Sequence, residues 1–198
     1  MTAPVRKAGR SDVARVAAAL GRAFHDDPVM SWLLPRESMR AERAARWFGL
    51  QMERFVLRHG ECYTTEEVAG AALWTPPGAW RVGLLDQAKV LPQLIGIFGA
   101  RLPAGFRAFN FIERHHPDLP HFYLAVLGTE PEHQGRGIGS SLMQPVLERC
   151  DREGVPAYLE SSKERNVPYY GRHGFEVKRE LRLPGNGPPV WLMWREPR

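Results

Sequence analysis

A glycine-rich loop constrains this chain more than any other feature, because a run typical of a buried strand precedes it and an apolar-periodic run typical of a helix follows it. The loop reads Gln134-Gly135-Arg136-Gly137-Ile138-Gly139-Ser140. Glycines leave backbone N–H groups uncovered, and the first turn of a helix adds free N–H groups with a partial positive charge. Arg136 offers a full charge and a fork of donors. The sequence therefore predicts an anion site suited to phosphate groups.

The spacing of the glycines distinguishes this loop from two common kinds of nucleotide-binding loop. A P-loop needs Gly-Lys-Ser/Thr at its end, and this chain has Gly139-Ser140-Ser141 without a lysine. A dinucleotide fingerprint needs glycines at its first, third and sixth positions directly after a strand, but the sixth position counted from Gly135 is Ser140. Neither nucleoside triphosphate hydrolysis nor hydride transfer is therefore expected.

A third pattern fits the loop. Gln134, Gly137 and Gly139 match Gln/Arg-x-x-Gly-x-Gly/Ala, which resembles the pyrophosphate-binding loop of the GCN5-related N-acetyltransferases, the GNAT family. In that family the phosphates belong to coenzyme A. The Tyr-x-x-x-Gly-Phe sequence at 170–175 is similar to the family's last helix and the turn after it. Over 122–194 the chain most resembles the puromycin N-acetyltransferase branch, whereas the part before Phe122 matches it thinly.

The resemblance implies an α/β (α+β) fold, the GNAT fold. Its central sheet is mixed and mostly antiparallel, is flanked by helices and is splayed between strands 4 and 5. Residues 1–198 are expected to form a single acetyltransferase domain, with an acceptor-side half at 1–120 and an acetyl-CoA-binding half at 121–198. Apolar spacing over 84–114 predicts a helical insertion before strand 4, as a pair of helices interrupted by Pro92 and Pro103.

Local patterns predict several further elements. Ser11 is a plausible N-cap for a first helix, a second helix is expected over 37–57, and a hairpin is expected over 61–74 with its turn at Glu66-Glu67. The helix after the loop carries an apolar face at four-residue spacing, and Pro145 within it predicts a kink or local break near 141–145.

The resemblance also assigns residues to acetyl-CoA. The backbone of Leu127, Gly128 and Thr129 is expected to contact the pantetheine arm in the splayed gap, with a bulge near 127–128. The loop residues that are expected to bind the cofactor are Gln134, Gly135, Arg136, Gly137, Ile138, Gly139 and Ser140. Many relatives carry a coenzyme-binding asparagine where this chain has Lys163. Asn166 either takes over that contact or caps a helix.

Two residues are candidates for catalysis. Tyr170 matches the tyrosine that the family uses as general acid beside the coenzyme sulfur, so it is also expected to contact the cofactor, although packing on the sheet is the alternative. Glu160 matches a carboxylate that deprotonates the amine through water in some relatives, and the alternative is a structural hydrogen bond. Tyr169 is expected in the core, and His133 is expected to be structural rather than catalytic.

Composition limits the possible partners and the location. The net charge of +5 comes without a dense basic tract, so nucleic acid is not expected, and a modest positive balance suits the anionic coenzyme. The sequence contains no apolar run that could cross a membrane and no secretory signal, so we expect a cytoplasmic protein. Cys62 and Cys150 lack metal-ligand spacing and are expected in the core, and no metal site is predicted.

These features predict an N-acetyltransferase that moves an acetyl group from acetyl-CoA to a primary amine of a small molecule. By the resemblance, transfer is direct and passes through a tetrahedral intermediate. The alternatives are a protein amino group as acceptor and a non-catalytic acyl-CoA sensor; the chain is expected to be a monomer or homodimer. Candidate residues for lining the acceptor pocket are Phe24, His25, Asp26, Asp27, Trp32, Trp74, Trp80 and His121.

Overall fold

The fold is built on one mixed sheet of seven strands. The computed structural model describes residues 4–198, apart from the side chain of Leu84. The strand order is β1-β2-β3-β4-β5-β7-β6, and only β4 and β5 run parallel. The fold is therefore the mixed, mostly antiparallel α/β arrangement that the sequence predicts. The strands are β1 Val5–Lys7, β2 Cys62–Thr65, β3 Gly70–Thr75, β4 Phe122–Thr129, β5 Ala157–Ser161, β6 Glu176–Arg182 and β7 Pro189–Arg195.

Helices cover both faces of this sheet. A π-helical turn, Met52–Val56, extends α3, so the helix predicted over 37–57 is confirmed with a change of winding in its last turn. The predicted insertion is also confirmed, since α4 and α5 lie between β3 and β4. The helices are α1 Val13–Ala23, α2 Pro28–Leu33, α3 Glu37–Gln51, α4 Leu84–Phe98, α5 Leu102–Glu113, α6 Ile138–Glu153 and α7 Val167–Gly171.

The alternation of side chains along the strands separates two main packing layers. On one face, α6 packs Ile138, Leu142 and Val146 against the sheet, all of them at most 6% exposed. On the other face, α1 to α4 form a second cluster with strand residues such as Leu73 and Val126. A third cluster joins α5 to β5 and β7 on that same side. Cys62 and Cys150 are both buried, as predicted.

Two local predictions are wrong. Of the kink or local break predicted near 141–145, the break does not occur: helix α6 runs continuously from Ile138 to Glu153, since buried residues on both sides of Pro145 hold the helix against the sheet. Ser11 does not cap α1. Instead, the Asp12 carboxylate accepts from the Gly9 N–H at 2.9 Å and pairs with the Arg6 guanidinium through two hydrogen bonds of 2.8 Å.

Candidate active site

The sheet opens between its two parallel strands. β4 pairs with β5 only through Phe122, Tyr123 and Leu124, although β4 continues to Thr129. The backbone of 125–129 therefore has no strand partner on the β5 side, and its N–H and C=O groups need other partners. An extended molecule with amide groups can pair with such an edge as an additional strand would.

A β-bulge determines which side chains face the opening. The predicted bulge near 127–128 is wrong, because Ala72 and Ala71 pair in regular register with Leu127 and Gly128. The extra residue is Ala125, between the partners of Leu73 and Trp74. One extra residue shifts the alternation of a strand, so that β4 turns Gly128 toward α1.

The required role of Gly128 is close packing. A Cβ atom added to Gly128 would lie 2.7 Å from Leu20 Cδ2 and 3.0 Å from Phe24 Cε2, both belonging to the α1 region. Glycine therefore lets α1 approach the open edge of β4, and the two elements together form one wall of a cleft.

The glycine-rich loop has the geometry that an anion site needs. Gly135 and Gly137 have φ values of +75° and +79°, and no atom lies within 4 Å of a Cβ added to either residue. No side chain caps α6 at Gly137, so the first-turn N–H groups remain available. Glycine is needed at 139 for a different reason: a Cβ atom added there would lie 2.7 Å from the Tyr169 hydroxyl.

The loop, the open edge and α7 enclose a cleft of about 500 Å³. Arg136 is exposed and does not belong to its lining, in which the nearby cations are Lys163, Arg165 and Arg172. The Gln134 side chain donates to the Thr129 carbonyl at 3.1 Å and ties the loop to the end of β4. The other predicted cofactor residues all line the cleft, namely Leu127, Gly128, Thr129, Gln134, Gly135, Gly137, Ile138, Gly139, Ser140, Asn166 and Tyr170.

The side chains of α7 complete this cleft. Asn166 occupies the N-cap position of α7 but makes no capping hydrogen bond, so its amide is free for another partner. Tyr170 is 8% exposed and lines the cleft. Burial raises the pKa of Tyr170, so its phenol stays protonated at neutral pH. Tyr169, predicted in the core, is partly buried and also lines the cleft.

A second cavity of about 330 Å³ lies across the sheet opening, beneath the insertion. Its walls come from Phe24 after α1, from α2 to α5 and from the sheet. The two spaces adjoin each other, because six residues line both of them. These shared residues are Phe24, Asp27, Ala125, Val126, Glu160 and Ser162.

Glu160 stands at this junction in contact with a buried histidine pair. Its Oε1 atom lies 3.5 Å from His116 Nδ1 and has no hydrogen bond to any residue that the structure describes. His116 Nε2 lies 3.0 Å from His121 Nε2, and His121 Nδ1 lies 2.6 Å from the Leu119 carbonyl. Trp80 stacks on the His116 ring at 3.7 Å between centroids.

The Leu119 carbonyl fixes the hydrogen-bond directions in the series from Leu119 through His121 to His116. A carbonyl only accepts, so His121 Nδ1 is the donor. Burial lowers the pKa of His121, which keeps it neutral and makes its Nε2 atom an acceptor from His116 Nε2. His116 Nδ1 is then free to share one proton with Glu160. Glu160 Oε1 and His116 Nδ1 are thus two acceptor atoms that face each other at the junction of cleft and cavity.

Comparison with known proteins identifies the fold family. The profile of the acetyltransferase (GNAT) family matches residues 23–175. The chain belongs to this family. An uncharacterised N-acetyltransferase of Schizosaccharomyces pombe is 29% identical over 94% of this chain and 80% of its own length. A mycothiol acetyltransferase of Corynebacterium aurimucosum is 29% identical, and that alignment covers 65% of this chain and 47% of the other protein.

A solved GNAT structure supports the same conclusion. A protein from Corynebacterium glutamicum described as "histone acetyltransferase HPA2 and related acetyltransferase" superposes with a TM-score of 0.76 at 26% identity. The superposition covers 100% of this chain and 98% of that one. GNAT homologues and this structural neighbour together show that the chain is an acyltransferase.

The structure brings together only part of the acceptor-side residues expected for this GNAT protein. Phe24, Asp27 and Trp80 line the cavity. Trp74 packs on the opposite face with α6, and Asp26 pairs with Lys163 and Arg165. The other expected lining residues that do not belong to the cavity wall are His25, Trp32 and His121.

Sequence reasoning missed His116. It lies in the polar segment 115–120, which precedes β4. The parallel pairing of β4 with β5 brings that segment beside Glu160, which is 44 positions later by residue number. Only a register for this long-range pairing could have revealed the contact. Among the described residues, no group of three or more His, Cys, Asp or Glu side chains could hold a metal.

Proposed function

We propose that this GNAT protein transfers an acetyl group from acetyl-CoA to a primary amine of a small molecule. One observation carries the proposal: the cleft with a free strand edge and an open glycine loop shares the wall at Glu160 with a second, apolar cavity. The glycine loop beside the cleft suits the phosphates of one substrate. The carboxylate of Glu160, between the cleft and the cavity, suits a second substrate that must lose a proton beside the first.

The cleft fits acetyl-CoA on three points. The unpaired edge of β4 offers backbone groups for the amides of the pantetheine arm. The loop at Gly135 and Gly137 is open to a diphosphate, and Asn166 keeps an uncommitted amide near it. When bound, acetyl-CoA supplies an acetyl group activated as a thioester.

Glu160 and His116 are proposed as the base. A primary amine arrives as an ammonium ion and must lose a proton before it can act as a nucleophile. The Glu160 carboxylate lies in the wall of the acceptor cavity, and the His116 ring behind it can hold the proton. Tyr170, whose raised pKa keeps its hydroxyl protonated, is proposed as the acid that would give its proton to the departing thiolate on the cleft side.

The cysteines support direct transfer without a covalent enzyme intermediate. Burial raises the pKa of Cys62 and of Cys150 to about 12, so neither thiol ionises at neutral pH. Neither residue lines the cleft or the cavity. We propose that the amine attacks the donor directly and that the tetrahedral intermediate is never attached to the protein.

The finer placement in the puromycin branch remains a prediction from the similarity over 122–194. A cytoplasmic location and a monomeric or homodimeric state also remain predictions. A protein amino group is the second candidate acceptor, which the description of the Corynebacterium glutamicum neighbour favours. The volume of the cavity beneath α4 and α5, about 330 Å³, favours a small molecule over a polypeptide.

Calorimetry and thiol release test the proposal together. We expect heat on addition of acetyl-CoA and thiol release when a primary amine is present. Glu160→Gln should lower kcat by about 10²- to 10⁴-fold with little change in acetyl-CoA affinity, whereas the exposed Glu164→Gln should behave as wild type. Absence of heat contradicts the cofactor assignment. Binding without turnover of any small amine or lysine peptide favours the sensor.

A further inference from the structure

We propose that the acceptor is a compact apolar monoamine, one ammonium group on an alkyl or arylalkyl body, rather than a polyamine or an amino sugar. This inference rests on the proposed function and concerns the cavity beneath the insertion. Three observations carry it: the chemistry of the cavity walls, the number of free carboxylates, and the charge of the remaining ionisable side chain.

The walls of the cavity are predominantly apolar. A volume of about 330 Å³ lies at the lower end of the range of about 300–1,000 Å³ that is usual for ligand pockets. An apolar body gains free energy by leaving water for such walls, whereas a hydroxyl or ammonium group loses its hydration there. The aromatic residues in the lining are Phe24, Trp47, Phe48, Phe55, Trp80, Phe98, Phe106, Phe109 and Tyr123.

Only one of the two carboxylates in the lining is free for a ligand. The Asp27 Oδ1 atom accepts from the Val29 and Met30 N–H groups, each at 3.0 Å, and caps α2. The other oxygen of Asp27 accepts from the Ser162 hydroxyl. Glu160 is left as the carboxylate that can hold an ammonium group, and it stands where the cavity meets the coenzyme cleft.

The remaining ionisable residues do not favour a second cation. Arg58 is the other charged side chain in the described lining, and it carries a positive charge 3.4 Å from Asp86. Two neutral oxygens of the lining, Gln51 Oε1 and Thr75 Oγ1, have no hydrogen-bond partner among the described residues and could accept from a ligand. Neither carries a negative charge, so a second ammonium group would be buried without a counter-charge, which is costly. A monoamine avoids this penalty.

The cavity reaches the surface at an apolar side chain. Phe109 of α5 belongs to the lining and is also 40% exposed. Arg58 is the other exposed residue of the lining, with 47% of its side chain accessible, so a phenyl ring and a guanidinium mark the surface edge of this cavity.

A matched pair of amines tests the inference. Hexylamine and 1,5-diaminopentane have the same number of heavy atoms and differ by a terminal methyl against an ammonium group. Binding of each amine is measured by calorimetry, and acetylation is measured by thiol release with acetyl-CoA. We expect hexylamine to exceed the diamine by about tenfold or more in affinity and in kcat/KM.

The outcomes separate the two proposals. Equal or better use of the diamine overturns the monoamine inference and leaves the transferase function standing. Selective binding of hexylamine with no turnover of any amine supports the inference about the cavity and contradicts the proposed function. Failure of both amines to bind or react overturns the inference.

A charge-insertion variant provides a second readout. Phe109→Glu places a carboxylate in the lining at a position that is already partly exposed, so burial cost is small. It should shift the ratio of kcat/KM several-fold toward the diamine. Asn110→Glu adds the same charge at the next residue, which is exposed and outside the lining, and should leave the ratio unchanged. An unchanged ratio in Phe109→Glu would contradict the assignment of this cavity to the acceptor.

Discussion

Gly128→Ala tests whether α1 and the open edge of β4 pack as closely as the structure shows. The added Cβ would lie 2.7 Å from Leu20 Cδ2, 3.0 Å from Phe24 Cε2 and 3.2 Å from Ala23 Cβ. Leu20 is fully buried, so its side chain has little room to move away, and the Cβ of Ala23 moves only with the helix. The variant must therefore shift α1 outward or displace Leu20.

The magnitude follows from two opposing effects. Overpacking of a tight core costs about 1–3 kcal/mol. Replacing glycine by alanine restricts the unfolded chain and returns about 0.4–1 kcal/mol. The free energy of unfolding should therefore fall by about 1–2 kcal/mol, which lowers Tm by about 2–8 °C in a chain of this size.

Urea denaturation followed by circular dichroism measures the effect within a double-mutant cycle. Leu20→Ala alone should cost about 2–5 kcal/mol because it leaves a cavity. Alanine at 128 fills part of that cavity, so the double variant should be more stable than the sum predicts by about 1–2 kcal/mol. Gly171→Ala is the control, since Gly171 is helical and has no atom within 4 Å of an added Cβ.

Two results would refute this reasoning about the cleft wall. Wild-type stability of Gly128→Ala would show that α1 does not approach β4 so closely. Additive effects of the two substitutions would show that Leu20 is not the side chain in the way. Either result would also remove the physical reason for glycine at this position.

Three further predictions concern the loop, the pH dependence and the proposed acid. Gly139→Ala should lower Tm because the new Cβ meets the Tyr169 hydroxyl at 2.7 Å, and Tyr169→Phe in the same chain should restore part of the loss. The Arg6 guanidinium lowers the pKa of Asp12 to about 2, so this carboxylate stabilises the fold above the unfolded pKa of about 4 and loses that effect as the pH falls toward 2. Asp12→Asn should thus reduce stability at pH 7 and weaken its fall between pH 4 and pH 2 in urea titrations. Tyr170→Phe should lower kcat by about 10²-fold or more with little change in acetyl-CoA affinity, and wild-type kcat would remove Tyr170 from the proposed mechanism.

The sequence predicted the features that depend on neighbouring residues. The loop at 134–140 is recognisable because positive φ angles at Gly135 and Gly137 and a helix start are local requirements. The apolar face of α6 follows from helical spacing in the same way. These local features carry the family resemblance, so the α/β fold with its splayed sheet could be predicted as well.

Predictions failed where contacts with a distant segment oppose the preference of a single residue. A proline in isolation disfavours a helix, yet α6 passes through Pro145 because the sheet holds both of its flanks. The bulge was expected at Gly128, the residue most tolerant of it, but the register of β3 against β4 places it at Ala125. Tertiary pairing outweighed the local preference in each case.

The sequence by itself determined that an open glycine-rich loop lies between a strand and a helix, since the conformational freedom of glycine and the start of a helix act within a few residues. Only the tertiary structure decided which acidic residue is free at the junction. Asp26 is paired with Lys163, Asp27 caps α2, and Glu160 faces His116 across the parallel strands. These roles depend on partners distant in the chain, because the state of a carboxylate is set by the charges and donors that folding brings within a few ångströms of it.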